Sequence, residues 1–161
     1  MGRPLATLDG SGHDRVMRFG VVILVVVAAL TLAPASLGAV RFTRIYYNPP
    51  GNDTQTNSQI VKEYVQLKNT GKGPVALTNW RVIDVDDRKV YVFPKFTLPA
   101  GASVRIRSGV GRNTKTDLYW GHDNYIWNND QKETAVLRNA RGAVAAKCTY
   151  TAGVGPAAIC P

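Results

Sequence analysis

The chain has 161 residues, room for about one domain, and a net charge of +9. That charge admits a polyanion as partner (nucleic acid, an anionic cell-wall polymer or a membrane surface) but does not specify one. The two cysteines and the single histidine beyond residue 39, His122, exclude a zinc site of three or four ligands once the cysteines are paired with each other.

The first element is a leader. Met17-Arg18 precedes an apolar run from Phe19 to Ala33, followed by Pro34 and small residues. This is the order of a signal peptide, with candidate cleavage sites at Ala33-Pro34-Ala35 and Leu37-Gly38-Ala39. We assign residues 1–39 to a signal-peptide helix, with Met17 as a candidate start. The run is shorter than the roughly 20 apolar residues of a transmembrane helix, so no span is expected after processing. An uncleaved N-terminal anchor is the alternative. No cysteine offers a lipid attachment point near the cleavage region, and no Arg-Arg pair precedes the apolar run, which favours general secretion. The expected location is extracellular or the cell envelope, and the folded domain is residues 40–161. That segment carries 17 Lys and Arg against 9 Asp and Glu, a net charge of +8.

Val40 to Asn48 is rich in β-branched and aromatic residues, a strand with imperfect alternation that Pro49-Pro50-Gly51 stops. Residues 51–59 are small and polar and read as a loop. From Val61 to Asn69 the period is two: Val61, Glu63, Val65 and Leu67 take the core phase, and Lys62, Tyr64, Gln66 and Lys68 face out. A carboxylate in the core phase must be paired or sit at the rim. No second acid stands near Glu63 to complete a catalytic site. The expected role is therefore structural, bonded to backbone N–H groups or to a cation.

Asn69 to Pro74 is a turn, Val75-Ala76-Leu77 a short strand, and Trp80 with Val82 the anchor of the next. Asp84-Val85-Asp86-Asp87 invites a calcium reading. An EF-hand would need Gly and Glu where Lys89 and Lys95 stand, so that motif is absent. An acidic hairpin turn is the expected reading, an irregular calcium site the alternative. Val90–Phe93, Phe96–Leu98 and Ala102–Arg107 follow as strands, the last with Arg105 and Arg107 outward. A glycine-containing loop carrying Arg112 and Lys115 leads to Thr116–Trp120. Glu133–Asn139 and Ala143–Tyr150 close the series. Seven or eight short strands with Gly, Pro and Asn turns predict an all-β sandwich or barrel. Cys148 and Cys160, in an exported chain, are expected to form one disulfide that ties the tail to the last strand.

Several ordered stretches together resemble the lamin-tail domain: Glu63-Tyr64-Val65-Gln66-Leu67-Lys68-Asn69, Gly73 to Trp80, Tyr91-Val92-Phe93-Pro94, Leu98 to Val104, Leu118 to Gly121, Trp127 to Asp130 and Ala135 to Asn139. The resemblance covers about Val40 to Tyr150. The leader is similar to those of small secreted actinobacterial members. The acidic turn after Ile83 departs from the family, where a Gly-containing turn is commoner. The resemblance implies an immunoglobulin-like β-sandwich and a binding or scaffolding role, with no catalytic residues to carry over.

The residues themselves point the same way. A Ser-His-Asp arrangement would have to draw on His122, Asp117 or Asp123, and Ser103 or Ser108, and no Gly-x-Ser-x-Gly elbow exposes a nucleophile. We therefore expect no enzyme and no cofactor, but a secreted binding or structural module with an unidentified protein or cell-envelope partner. The alternative is polyanion binding by Lys62, Lys68, Arg105, Arg107, Arg112 and Lys115, with Tyr64 among them to stack on a base or sugar.

Overall fold

The computed structural model describes residues 1, 2, 39–153 and 155–160. The signal-peptide helix lies outside them. Among the described residues no helix is long and apolar enough to cross a membrane.

Two antiparallel-rich sheets face each other as an immunoglobulin-like sandwich. In the first, β1 (Val40–Tyr46) pairs with β2 (Tyr64–Asn69), and β2 with β7 (Ser103–Arg107). Strand β8 (Asp117–Tyr119) runs parallel beside β7, and β11 (Ala158–Ile159) covers the other side of β1. The order is β11-β1-β2-β7-β8. The second sheet has the order β10-β9-β4-β5, from β4 (Arg81–Asp84), β5 (Val90–Val92), β9 (Lys132–Arg138) and β10 (Val144–Thr151). A two-stranded ladder joins β3 (Val75–Ala76) to β6 (Thr97–Leu98). The strand not named in advance is β11, a two-residue ladder too short to carry a period.

The period-two stretches fold with the expected side inward. Val65 and Leu67 of β2 meet Val104 and Ile106 of β7, and across the interior lie Val82, Ala135 and Leu137. Trp80, just before β4, is 5% exposed and belongs to the same core. Removing so large a buried ring typically costs about 3–5 kcal/mol. Residues 51–59 are not wholly irregular: α1 (Asn57–Ile60) makes one helical turn. Its Ile60 is buried, and the Asn57 amide exchanges two hydrogen bonds with the backbone of Val110 (2.8 and 2.9 Å).

The imperfect alternation of β1 has a definite cause. The register with β2 shifts between Phe42 and Arg44, so Thr43 is the extra residue of a β-bulge. Before it Val40 and Phe42 point inward; after it Ile45 and Tyr47 do. The carbonyl of Thr43 accepts the N–H of Cys160 (3.2 Å). Cys148 and Cys160 form the expected disulfide. Its reach is greater than expected: Cys148 lies on β10 of one sheet, while the tail beside Cys160 pairs with β1 of the other. The bridge is thus a clip between sheets as well as a tie to the last strand.

Candidate functional site

Three carboxylates sit in the core phase at strand ends: Glu63 before β2, Asp84 at the end of β4 and Glu133 near the start of β9. Glu63 is 0% exposed. Its Oε1 accepts the Ser108 hydroxyl (2.5 Å) and the backbone N–H groups of Ile126 (2.6 Å) and Trp127 (3.2 Å). These are backbone bonds of the kind the sequence predicts, with no cation partner. Oε2 accepts none. Burial pushes the Glu63 carboxyl up to about 8, against the opposing pull of the three hydrogen bonds. The group holds the segment leading to β9 against the first sheet, and does so as a neutral acid at neutral pH. Sequence reasoning placed Glu63 in the core phase, read Asp84 only as part of an acidic turn or an irregular calcium site, and missed Glu133. The signal was present: Asp84 is in phase with Val82, and Glu133 with Ala135 and Leu137.

The serines, the histidine and the aspartates weighed for a Ser-His-Asp arrangement are not brought together. Ser108 spends its buried hydroxyl on Glu63. Ser103 lies on β7 with its side chain on the outward phase. Asp117 is committed to two arginines, and His122 faces Asp123 at 3.5 Å in an exposed loop.

The outward face of the five-stranded sheet is the strongest candidate surface. Strand register sets its rows. Tyr46 stands opposite Tyr64, and Tyr64 opposite Arg107. Arg44 stands opposite Gln66, Gln66 opposite Arg105, and Arg105 beside Asp117. Arg41 stands opposite Lys68. The rings of Tyr46 and Tyr64 stack at 5.3 Å, and the guanidinium carbons of Arg105 and Arg107 each lie 5.7 Å from the Tyr64 centroid. Five cations and one carboxylate thus share this face with a pair of stacked rings, Arg105 and Arg107 standing over Tyr64.

That carboxylate matters. Asp117 takes hydrogen bonds from Arg107 Nε (2.7 Å) and Arg105 Nη2 (3.0 Å). Partial burial works to raise its pKa, but the bonds from Thr116, Arg107 and Arg105 outweigh it and hold the group below its ordinary value. Half-exposed pairs of this kind contribute about 0–1 kcal/mol each. Their main effect is to fix both guanidinium planes beside Tyr64 and to take up part of their charge.

The six basic residues expected from sequence therefore divide. Lys68, Arg105 and Arg107 share the face. Lys62 does not: β2 begins at Tyr64, and Lys62 lies in the preceding turn with its ammonium donating to Gln59 (2.7 Å). Arg112 and Lys115 are exposed on the β7–β8 loop. That loop is pinned at its start, because a Cβ on Gly109 would meet Asn57 at 2.6 Å and one on Gly111 would meet the Tyr119 ring at 2.2 Å. Arg41 and Arg44 join the face unforeseen. The bulge at Thr43 turns Arg44 outward, and the switch of apolar phase from Phe42 to Ile45 was the readable sign of it.

A family model described as Lamin Tail Domain matches residues 33–152. No curated protein matches the chain.

Proposed function

The chain belongs to the lamin tail domain family, and on that premise we propose that it works after export as a non-catalytic binding or structural module of the cell surface or its surroundings. The leader over residues 1–39 supports the export. Support for binding comes from the sandwich's division of labour. The interior is filled by apolar side chains and a few buried acids, while the outward face of the first sheet carries five cations and a stacked pair of tyrosines.

One observation favours a more specific reading, in which that face holds an anionic polymer. Arg41, Arg44, Lys68, Arg105 and Arg107 stand in register on the same sheet face as the Tyr46–Tyr64 stack. Regularly spaced cations neutralise a phosphate backbone, and exposed rings stack on bases or sugars. Titration of the purified protein with a labelled single-stranded oligonucleotide, and separately with a polyglycerol-phosphate polymer, tests this reading. Binding is expected to weaken steeply with salt, and to fall about tenfold or more in Arg44→Ala/Lys68→Ala at low salt. Binding that ignores salt, or that survives both substitutions unchanged, overturns the polyanion reading. Turnover of nucleic acid, peptide or glycan by the pure protein overturns the non-catalytic one.

A further inference from the structure

On a different part of the molecule, three acids converge from separate strands and turns. A carboxylate oxygen of each of Asp84, Asp87 and Glu133 lies within 4.8 Å of those of the other two. Asp84 ends β4, Asp87 follows in the turn, and Glu133 arrives from the neighbouring strand β9. Sequence spacing could not join Glu133 to the other two.

The cluster is not explained by its own hydrogen bonds. Asp84 Oδ1 accepts the N–H groups of Asp86 (3.2 Å) and Asp87 (3.3 Å), which shapes the turn. Asp84 Oδ2 is buried and accepts nothing. Glu133 Oε2 takes the Tyr150 hydroxyl (2.9 Å), and the Asn128 amide donates to Glu133 Oε1 and reaches Asp87 Oδ2 at 3.4 Å. Lys89 is the cation paired to the cluster, 3.0 Å from Asp87 Oδ2. With all three acids ionised, it offsets one of three negative charges and leaves two, the charge that a divalent ion brings. Buried carboxylates that are not fully paired are costly in their charged form, and either keep a proton or hold a metal.

The surroundings suit a hard ion. A polar pocket of about 320 Å³ opens beside the cluster, with Asp53, Asp87, Lys89, Asn124, Asn128 and Asn129 on its wall. Asp87 is the one of the three acids on that wall, and the space beside it has room for waters that complete an oxygen shell. Oxygens within 4.8 Å of one another can share one ion bound at about 2.3–2.6 Å. We propose that Asp84, Asp87 and Glu133 bind a hard, oxygen-preferring divalent cation of the calcium or magnesium class at the edge of this pocket. Such an ion clamps the β4–β5 turn to β9. The ligand set spans a loop and a neighbouring strand, so a linear loop motif does not describe it.

The full chain, stripped with a chelator and titrated with calcium chloride or magnesium chloride alone, tests the site by calorimetry and thermal unfolding. One saturable site is expected, with a dissociation constant on the order of 0.1–1 mM as in extracellular calcium modules. At about 10 mM ion the unfolding temperature is expected to rise by roughly 5–10 °C. Asp87→Asn, at an exposed position, is expected to keep the metal-free unfolding temperature and to weaken binding about tenfold or more. Glu133→Gln is expected to weaken it as well. Saturation by calcium but not magnesium assigns the larger ion, and the reverse assigns the smaller. The proposal is overturned if neither ion binds saturably up to about 10 mM, or if Asp87→Asn binds as the parent does.

Discussion

The hydroxyl of Ser108 donates to Oε1 of Glu63 at 2.5 Å, joining two fully buried polar groups on neighbouring strand ends. The N–H groups of Ile126 and Trp127 end on the same oxygen. One carboxyl therefore organises the junction between the first sheet and the segment that leads to the second.

Stability is expected to fall between about pH 5 and pH 8. Burial raises the Glu63 carboxyl from 4.5 to about 8 in the folded protein. Over that window the unfolded chain has lost a proton that the folded chain keeps, so raising the pH favours unfolding. This contribution is complete below the unfolded pKa and is lost as the pH rises through about 8. The full span is worth on the order of 5 kcal/mol. Urea unfolding at pH 5, 6.5 and 8 measures it. Glu63→Gln, which cannot ionise, is expected to flatten this slope; an equal slope in the variant would assign it to another group.

Asn69→Ala is expected to destabilise by about 2–4 kcal/mol. The side chain is buried, its amide donates to the carbonyls of Gly73 (2.8 Å) and Leu98 (3.0 Å), and its oxygen accepts the N–H of Gly71 (2.9 Å). It thus holds the turn after β2 and the β6 strand together. Asn69→Asp is the sharper probe: it keeps the acceptor and loses both donors. Denaturant midpoints that match the parent in both variants would contradict this account.

Reducing the disulfide is expected to cost about 3 kcal/mol and to lower the unfolding temperature on the order of 10 °C, from a bridge of sequence separation 12. Arg44 and Ile45, the partners of β11, should then exchange their amide hydrogens faster while the β9–β10 pairing stays protected. Uniform loosening of both sheets would show that the clip acts globally rather than at this edge.

Asp117→Asn is expected to strengthen polyanion binding. The substitution releases Arg105 and Arg107 from a shared negative charge. If both then meet phosphates, the salt dependence should steepen by roughly 0.7–0.9 per new contact. Weaker binding in this variant would mean that fixed guanidinium planes matter more than available charge.

The alternation in Tyr64–Asn69 and Ser103–Arg107 made the sandwich legible, because a half-buried strand writes its environment directly into period two. The same logic reached Glu63. It stopped short at Glu133 and Asp84, where a polar residue in an apolar phase near a turn passes easily for a surface residue. It also stopped at Lys62, whose outward phase is a property of a strand that has not yet begun. Partnerships across strands, such as Asp117 with two arginines or Glu133 with Asp84 and Asp87, depend on which strands become neighbours. No local pattern records that order.

The bulge at Thr43 also changes how this surface can evolve or be engineered. Substitutions along β1 trade one outward side chain for another and leave the rest in place. Deleting Thr43 would remove the bulge and leave Val40, Phe42, Ile45 and Tyr47 inward and Arg41, Arg44 and Tyr46 outward in unbroken alternation. The charge of the sheet face and the packing beneath it are therefore insulated from a change of chain length at this one position. Deletion of Thr43 should therefore be better tolerated than deletion of any other residue of β1.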